Sequence, residues 1–351
     1  MKKNLFFLII ILSLLVLTGA GCINFKKGGN DLGVFKTNDK GDTWQHKVGV
    51  LHVGSANPTI AGVNIKNFVI DPSDSKTIYA LSEGHGLFYT YDSGESWNLV
   101  KNFANKTINS VTVDYKNKCT IYTAIDNKIY KSEDCSRTWH LIYDDPRGDN
   151  TINTLAIDSF NSQIVYAGSA KGDVLKSLDA GQSWKIINRF KSSVEKILVA
   201  HQIDTRNIYV ATFKNGVYKT IDAGGTWEES YEILRTYSGG LEYRDMVYHK
   251  NELILATKYG LFKTSNNNEW QTWQPIELIT APGSTLIYSL AVNPQNPAEI
   301  YYGTDKTFYR TNDSGKTWTT KSLPSTGAAT SLLIDFDNPQ TIYLGITKLK
   351  K

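Results

Sequence analysis

Two pairs of neighbouring carboxylates come closest to a catalytic arrangement in this sequence. Asp144 is followed by Asp145, and Glu229 lies three residues before Glu232. Two carboxyl groups on either side of a glycosidic bond can supply the acid and the base that its hydrolysis requires. Sequence spacing alone does not set the separation of either pair, so no residue is assigned a catalytic role.

Other reactive constellations are missing from the sequence. It contains no Gly-x-Ser-x-Gly, His-Glu-x-x-His or phosphate-loop motif. The 6 His and 3 Cys show no spacing typical of metal ligands, so we expect no metal and no cofactor. The formal net charge of +4 gives no global preference for nucleic acid as a partner.

Basic residues form the largest set of candidates for binding. Seven of them take equivalent places in successive copies of the repeat described below: His85, Lys128, Lys171, Lys214, Lys258, Lys306 and Lys348. Grouped around one opening, such side chains could attract an acidic partner. Interspersed carboxylates weaken that field, and the alternative is that lysine is simply common in exposed hairpins.

Two long connections between predicted strands add further candidates. One runs from Gln45 to Lys66, and the other runs from Glu228 to Arg244. Long loops on a rigid scaffold often carry binding residues. In the second connection the candidates are Arg235, Tyr237, Tyr243 and Arg244. The alternative is a surface loop without a ligand.

The elements that position these residues follow from one eight-residue phrase that recurs seven times. Its copies end in a tryptophan: Trp44, Trp97, Trp139, Trp184, Trp227, Trp273 and Trp318. The sixth copy, which begins at Thr264, is longer and degenerate. A period of about 45 residues is typical of a four-stranded blade of a β-propeller.

The phrase Ser/Thr-x-Asp-x-Gly-x-Thr/Ser-Trp closely resembles the Asp-box, or bacterial neuraminidase repeat. The resemblance covers nearly the whole chain and implies a β-propeller, but many unrelated activities share that fold. The carboxylate of the aspartate in this phrase can accept hydrogen bonds from backbone N–H groups within a tight turn, so we expect the aspartate to have a structural role. The box residues concerned are Asp39, Asp92, Asp134, Asp179, Asp222 and Asp313.

The two ends of the chain complete one another. Each full repeat contains strands that we name A, B, C and D in chain order. Residues 33–36 read as a strand C without a preceding A or B, and residues 331–335 and 341–345 read as an A and a B without a following C. We therefore predict an all-β, seven-bladed propeller over residues 32–351, made of four-stranded antiparallel blades. N-terminal strands C and D would pair with C-terminal strands A and B and remove the open edges.

The N-terminus has the features of an export signal. Two lysines precede an apolar segment at residues 5–17, and small residues lead up to Cys22. This pattern resembles the cleavage box of bacterial lipoproteins and implies a signal peptide over 1–21, a lipidated Cys22 and a short tether over 22–31. The protein would then be lipid-anchored to a membrane of the cell envelope, on its extracytoplasmic side. The alternatives are an ordinary secreted protein and an uncleaved anchor.

The two other cysteines fall in the same predicted blade. Cys119 opens strand B, and Cys135 follows strand C. Because B and C are antiparallel neighbours, both residues lie at one end of the blade, and a disulfide is expected in an oxidising compartment. The alternative is a pair of buried thiols.

Comparison with four protein families gives an expectation of the function. Sialidases use three converging arginines and an Arg-Ile-Pro start. This sequence has no Arg-Ile-Pro. Xyloglucanase-like hydrolases carry Asp-boxes but enclose a cleft between two propellers. The chain is more similar to the photosystem II stability and assembly factor family, whose members are single exported propellers, and more distantly to the ten-bladed sortilin propeller. This resemblance implies a non-enzymatic, membrane-tethered, monomeric scaffold that holds a protein partner on the face of the B–C and D–A loops. The alternative is a secreted glycoside hydrolase or carbohydrate-binding propeller with a glycan as partner.

Overall fold

The computed structural model describes residues 30–51, 58–200, 204–249, 251–265, 270 and 272–350. The predicted signal segment and Cys22 lie outside these residues. The first described strands are β1 (Gly33–Thr37) and β2 (Gln45–His46). Blade 1 contains β3 (Ile65–Asp71), β4 (Asp74–Ser82), β5 (Leu87–Thr90) and β6 (Asn98–Leu99), and a short 3-10 helix follows at Lys101–Phe103. Blade 2 contains β7 (Ser110–Val113), β8 (Ile121–Ile125), β9 (Lys128–Ser132) and β10 (His140–Asp144).

The next three blades follow the same plan. Blade 3 contains β11 (Ile152–Ile157), β12 (Val165–Ser169), β13 (Asp173–Ser177) and β14 (Lys185–Arg189). Blade 4 contains β15 (Val194–Val199), β16 (Ile208–Thr212), β17 (Val217–Thr220) and β18 (Glu228–Glu229), and is followed by helix α1 (Tyr231–Leu234). Blade 5 contains β19 (Tyr243–His249), β20 (Glu252–Thr257), β21 (Leu261–Ser265) and β22 (Gln274–Ile276).

The ring closes as the sequence predicts. Blade 6 contains β23 (Ser289–Val292), β24 (Ile300–Gly303), β25 (Thr307–Thr311) and β26 (Thr319–Ser322), and the last strands are β27 (Ala328–Ile334) and β28 (Ile342–Thr347). Blade 7 has the order β2-β1-β28-β27, with Phe35 opposite Leu344, so the first and last strands of the chain share one sheet. The seven-bladed, four-stranded antiparallel fold is therefore confirmed.

The hydrophobic core lies between blades rather than at the centre of the ring. Strands in position B, such as β16 with the sequence IYVAT, are buried along their whole length. One apolar cluster joins Phe68 and Ile78 of blade 1 to Tyr343 of blade 7, and similar clusters occur at the other blade contacts. Burial on both faces explains why these strands read as unbroken β-branched and aromatic runs.

The repeated turns are held by their own side chains, as blade 1 illustrates. Asp92 accepts a hydrogen bond from the backbone N–H of Ser96 at 3.0 Å and another from its hydroxyl. Thr90 Oγ1 accepts one from Gly94 N at 3.0 Å. Gly94 has a φ of +79°, a conformation that glycine adopts without Cβ strain. We call these eight-residue segments the repeat turns.

One repeat turn carries the disulfide of the described chain. Cys119 is bonded to Cys135, whose backbone N–H also donates to Cys119 O at 3.3 Å. The following residue, Ser136, stands where most other copies have glycine, and its φ is +69°. Among the repeat turns that the structure describes in full, the covalent link therefore lies beside the turn in which a side chain takes this left-handed conformation in place of glycine.

The long connection after β2 packs along the outer edge of blade 1. Trp97 N donates to Gly49 O at 2.9 Å, and Leu51 N donates to Trp97 O at 2.8 Å. The indole Nε1 of Trp97 donates to Lys47 O at 2.9 Å. This part of the connection therefore covers a sheet edge. Within the described ranges, no helix has the length and apolar character needed to cross a membrane.

Candidate functional site

A β-bulge near the start of the innermost strand recurs around the ring. The register of strand A shifts within its first few residues in five blades, for example between Val194 and Lys196 and between Tyr243 and Asp245. A bulge leaves one residue outside the ladder and redirects its side chain. In these two blades the residues concerned are Glu195 and Arg244.

Residues at or just before the start of strand A from all seven blades line one cavity that runs along the central channel. The cavity has a volume of about 630 Å³. The seven residues, which we call the mouth ring, are Lys66, Asn109, Asn153, Glu195, Arg244, Tyr288 and Thr330. An opening with amide, carboxylate, guanidinium and phenol groups is thereby built from all seven blades.

The layer beneath the mouth ring locks neighbouring blades together. Ser110 Oγ accepts a hydrogen bond from Leu155 N of the next blade at 2.9 Å. Asp245 Oδ2 accepts one from Leu290 N at 3.0 Å, and its Oδ1 lies 2.7 Å from Lys196 Nζ of the preceding blade. These bonds hold the backbone beneath the mouth ring, so its side chains stand on a rigid base.

Charged groups in the mouth influence one another across the channel. Burial lowers the pKa of Lys66, and the negative charges of Glu195 and Glu83 oppose that effect. Burial raises the pKa of Tyr243 well above its usual value, and Asp245 and Glu195 add to the increase. Glu195 thus acts on groups from blades 1 and 5.

Two groups of the mouth have no polar partner among the described residues. The Nε atom of Arg244 is buried without a hydrogen bond. The carboxylate of Glu195 is half-buried and makes neither a hydrogen bond nor an ion pair within the described part of the chain. Unsatisfied polar groups in a concave site are typical of positions where a ligand binds.

An exposed aromatic side chain lies at the rim beside these groups. Phe213, in the B–C loop of blade 4, is 46% exposed. Its backbone N–H donates to Ser193 O at 2.9 Å, and its carbonyl accepts from Tyr243 N at 3.2 Å. Lys214 Nζ lies 5.0 Å from the centre of its ring. Phe213 is therefore fixed at the start of the strands that carry Glu195 and Arg244.

Three of the seven basic residues expected to form a field have acidic partners. Lys128 pairs with Asp144, Lys171 with Asp149, and Lys258 with Glu242 at 3.2 Å. Two other basic side chains of this set make different contacts. Lys214 lies over the ring of Phe213, and His85 Nδ1 is 2.8 Å from Glu83 O. Lys306 and Lys348 stand in the corresponding loops of blades 6 and 7. Pairing reduces the field that this set can project towards a partner.

The candidates of the second long connection divide into two groups. Arg235 is exposed and binds Glu232 at 2.6 Å, while Tyr237 packs edge-on against Phe262 with ring centres 4.9 Å apart. Tyr243 and Arg244 line the channel cavity. Only the last two therefore reach the mouth.

Neither carboxylate pair from the sequence lies in the mouth. Asp144 binds Lys128, and Asp145 binds Arg147. Arg147 holds the pKa of Asp145 far below its usual value, against the opposing effect of burial. Glu229 and Glu232 line a separate groove on the outer wall. Within the described residues, no group of three or more His, Cys, Asp or Glu side chains could hold a metal ion.

Sequence reasoning missed most of the mouth, namely Lys66, Asn109, Asn153, Glu195, Phe213 and Tyr288. A signal was present, because Lys66, Asn153 and Glu195 each follow the first apolar residue of a strand A. The bulge at these three places is a feature of pairing and has no residue signature of its own.

Comparison with known proteins relates the chain to xyloglucanases. No protein-family model matches it. A xyloglucanase of Paenibacillus sp is 26% identical over 198 residues, which make up 47% of this chain and 19% of that protein. The chain spans about a fifth of the length of the curated relatives it matches.

Solved structures share the fold at low sequence identity. The GH74 xyloglucanase of Xanthomonas campestris has a TM-score of 0.67 and 17% identity, and the match covers 81% of this chain and 51% of that one. The structure of YCF48 bound to the D1 peptide has a TM-score of 0.62 and 15% identity, with 87% and 99% covered. Both likenesses concern the propeller fold.

These findings correct the expected function. A non-enzymatic scaffold for a protein partner was predicted, and this prediction is wrong, because the curated relatives are xyloglucanases and the structural neighbours include several GH74 enzymes. The prediction rested on a resemblance to single exported propellers, and three of the basic residues expected to attract an acidic partner are paired with carboxylates. The alternative of a glycoside hydrolase or carbohydrate-binding propeller is favoured.

Proposed function

We propose that this propeller is a carbohydrate-active protein of the glycoside hydrolase type that binds a β-glucan such as xyloglucan at the mouth of its central channel. One observation carries the proposal. The exposed Phe213 is bonded through its backbone to the starts of the strands that carry the unpaired carboxylate of Glu195 and Arg244, whose Nε is buried without a partner among the described residues. The xyloglucanase relatives support the same class of ligand.

The chemistry of a pyranose fits these groups. The C–H face of a sugar ring is apolar and packs on an aromatic face, while its hydroxyls seek charged and amide partners. Glu195 can accept from two hydroxyls, and Arg244 can donate to others. The Asn153 amide donates to Ser193 Oγ and Val194 O, so its Oδ1 is the atom that can accept from a sugar hydroxyl. A hydrogen bond to a charged group contributes about 1.5–3 kcal/mol, so a few such bonds with one stacking contact suffice for micromolar binding.

Glu195 is also the group on which hydrolysis would depend. Glycoside hydrolysis needs a carboxyl group that can give or take a proton at the scissile oxygen. Asp245 uses its oxygens on Lys196, Met246 N and Leu290 N, whereas Glu195 is unpaired among the described residues. We therefore assign protonation of the leaving oxygen to Glu195. Asp245, the second carboxylate that lines the cavity, takes a proton from the water that attacks the sugar carbon as the glycosidic bond breaks.

The test combines binding and turnover on xyloglucan oligosaccharides. We expect the parent protein to bind them in calorimetry, and Phe213→Ala to weaken binding about tenfold, through loss of the stacking surface. Glu195→Gln should abolish release of reducing ends. Glu133→Gln is the matched control, because Glu133 is an exposed carboxylate in a repeat turn, and it should leave both readings unchanged. Failure of the parent to bind any β-glucan would overturn the proposal.

The proposal includes the location of the protein. Residues 1–21 have the pattern of a lipoprotein signal and Cys22 follows it, so the propeller would be exported and held at the cell envelope by a lipid on Cys22. Cys22→Ala should release the protein into the medium and abolish its labelling by a radioactive fatty acid. Retention in the membrane fraction without Cys22 would contradict lipid anchoring.

A further inference from the structure

A second opening lies on the outer wall between blades 3 and 4, away from the channel. It has a volume of about 580 Å³. Its lining includes Arg189, Phe190, Lys191, Tyr218, Trp227 and Glu229. We call it the outer groove. It contains one of the carboxylates singled out in the sequence, Glu229, which the channel mouth does not use.

The floor of the outer groove is aromatic. The rings of Phe190 and Tyr218 are 4.1 Å apart between their centres, and Phe190 meets Trp227 edge-on at 5.4 Å. Phe190 follows the last strand of blade 3, while the other two belong to blade 4. The floor is therefore formed where two blades meet, on the packed core of that contact.

The walls of the outer groove carry opposite charges. Lys191 stands on the side of blade 3, and Glu229 stands on the side of blade 4; both are exposed and neither forms an ion pair within the described ranges. Arg189 is held by Asp173, and the Asn215 amide donates to the Tyr218 hydroxyl. The charged groups of Lys191 and Glu229 thus face the aromatic floor. The polar groups of Arg189 and Tyr218 are already bonded within the protein.

The same place in blade 1 is filled by the chain itself. There the connection after β2 covers the tryptophan, and Lys47 O accepts from Trp97 Nε1 at 2.9 Å. In blade 4 the connection from β14 to β15 spans only residues 190–193, too few to reach across the edge. The Nε1 of Trp227 is accordingly buried without an acceptor among the described residues, and the groove beside it is open.

A narrower copy of the opening lies between blades 1 and 2. It has a floor of Phe103, Tyr130 and Trp139, with ring centres 5.3 Å and 5.0 Å from Phe103. Its volume is about 210 Å³, against 580 Å³ for the outer groove. The groove between blades 3 and 4 is therefore wider than its counterpart between blades 1 and 2.

We propose that the outer groove is a second saccharide subsite, in which a sugar ring rests on the aromatic floor and its hydroxyls bind Lys191 and Glu229. An apolar aromatic floor between a hydroxyl acceptor and a donor suits a pyranose. The saccharide class rests on the proposed function, while the site itself rests on the groove. A long glucan chain could thereby be held at two points.

The test counts binding sites in the intact chain with xyloglucan oligosaccharides. We expect two sites by calorimetry in the parent. The double variant Lys191→Ala/Glu229→Gln should lose one of them, with affinity at that site falling more than tenfold, and Phe213→Ala should weaken the other. Both changed residues of the double variant are exposed, so its thermal midpoint should stay within a few degrees of the parent's. Lys106→Ala, in the narrower copy, is the matched control and should keep both sites.

The outcomes separate this inference from the proposed function. A single site that is sensitive to Phe213→Ala but not to the double variant would overturn the outer groove and leave the channel mouth in place. A single site sensitive only to the double variant would support the groove and contradict the mouth. Absence of saccharide binding to the parent overturns both.

Discussion

The hydroxyl of Tyr343 donates a hydrogen bond of 3.0 Å to Ser93 O, which ties the last strand of the chain to the repeat turn of blade 1. Lys36, on the neighbouring strand β1, reaches the same carbonyl at 2.9 Å. Tyr122 makes the equivalent bond to Ala180 O at 3.2 Å. These two repeat turns thus accept hydrogen bonds from the preceding blade. At blade 7 this contact helps to close the ring.

Removing the Tyr343 hydroxyl should weaken closure. Tyr343→Phe leaves Ser93 O with one donor fewer, and we expect a loss of about 1 kcal/mol in the free energy of unfolding. Urea titration measures this loss. Tyr166→Phe is the matched control, because the Tyr166 hydroxyl is buried without a partner among the described residues, and its removal should be neutral or stabilising. Equal losses in both variants would contradict a specific closing bond.

Acid should destabilise the fold through the repeat turns. Hydrogen bonds from Thr138, Ser183 and Thr317 lower the pKa values of Asp134, Asp179 and Asp313 from 3.8 to about 2. A carboxylate with a lowered pKa in the folded state stabilises above its unfolded pKa, and this contribution is lost as the pH falls towards the folded value.

The stability lost between about pH 4 and pH 2 should therefore shrink when one turn is altered. We expect Asp179→Asn to lower stability at pH 6 and to flatten its decline in this window, as measured by thermal unfolding at a series of pH values. Asp337→Asn, outside the repeat turns, is a comparison that should keep the decline. An unchanged slope in Asp179→Asn would contradict the assignment.

Reducing the disulfide should destabilise blade 2. Cys119 and Cys135 enclose a loop of 16 residues, for which chain entropy predicts a contribution of about 3 kcal/mol. The midpoint of thermal unfolding should fall on addition of dithiothreitol. The double variant Cys119→Ser/Cys135→Ser should start from the lower value and show no response. Two free thiols in the folded, untreated protein would refute the link.

Arg147 should matter more than an exposed arginine. It binds Asp145 and Asp173, whose side chains are fully buried, so Arg147→Ala would leave two buried carboxylates with less compensation. We expect a loss of about 3 kcal/mol in the free energy of unfolding. Arg206→Ala, which breaks an exposed pair with Asp204, should cost less than about 1 kcal/mol. Denaturant unfolding of both variants provides the comparison.

The sequence by itself determined the architecture. Seven tryptophan-ended repeats set the number of blades, and the incomplete first and last copies set the pairing of β1 with β28. These inferences succeed because the repeat turns are local: the Asp92 carboxylate binds Ser96, only four residues away. The cysteines could also be paired from strand order, because B and C are adjacent.

Only the tertiary structure decided the sites. Glu195 and Lys66 belong to blades 4 and 1 and influence each other because the ring brings strand A of every blade to one channel. The partners of the lysines depend on loops from neighbouring blades, as Lys171 with Asp149 illustrates. The connection at residues 190–193 is only four residues long and provides no acceptor for Trp227 Nε1 among the described residues. The longer connection after β2 provides Lys47 O as the acceptor for Trp97 Nε1. Such contacts join residues far apart in the chain, so their geometry follows from packing and not from spacing.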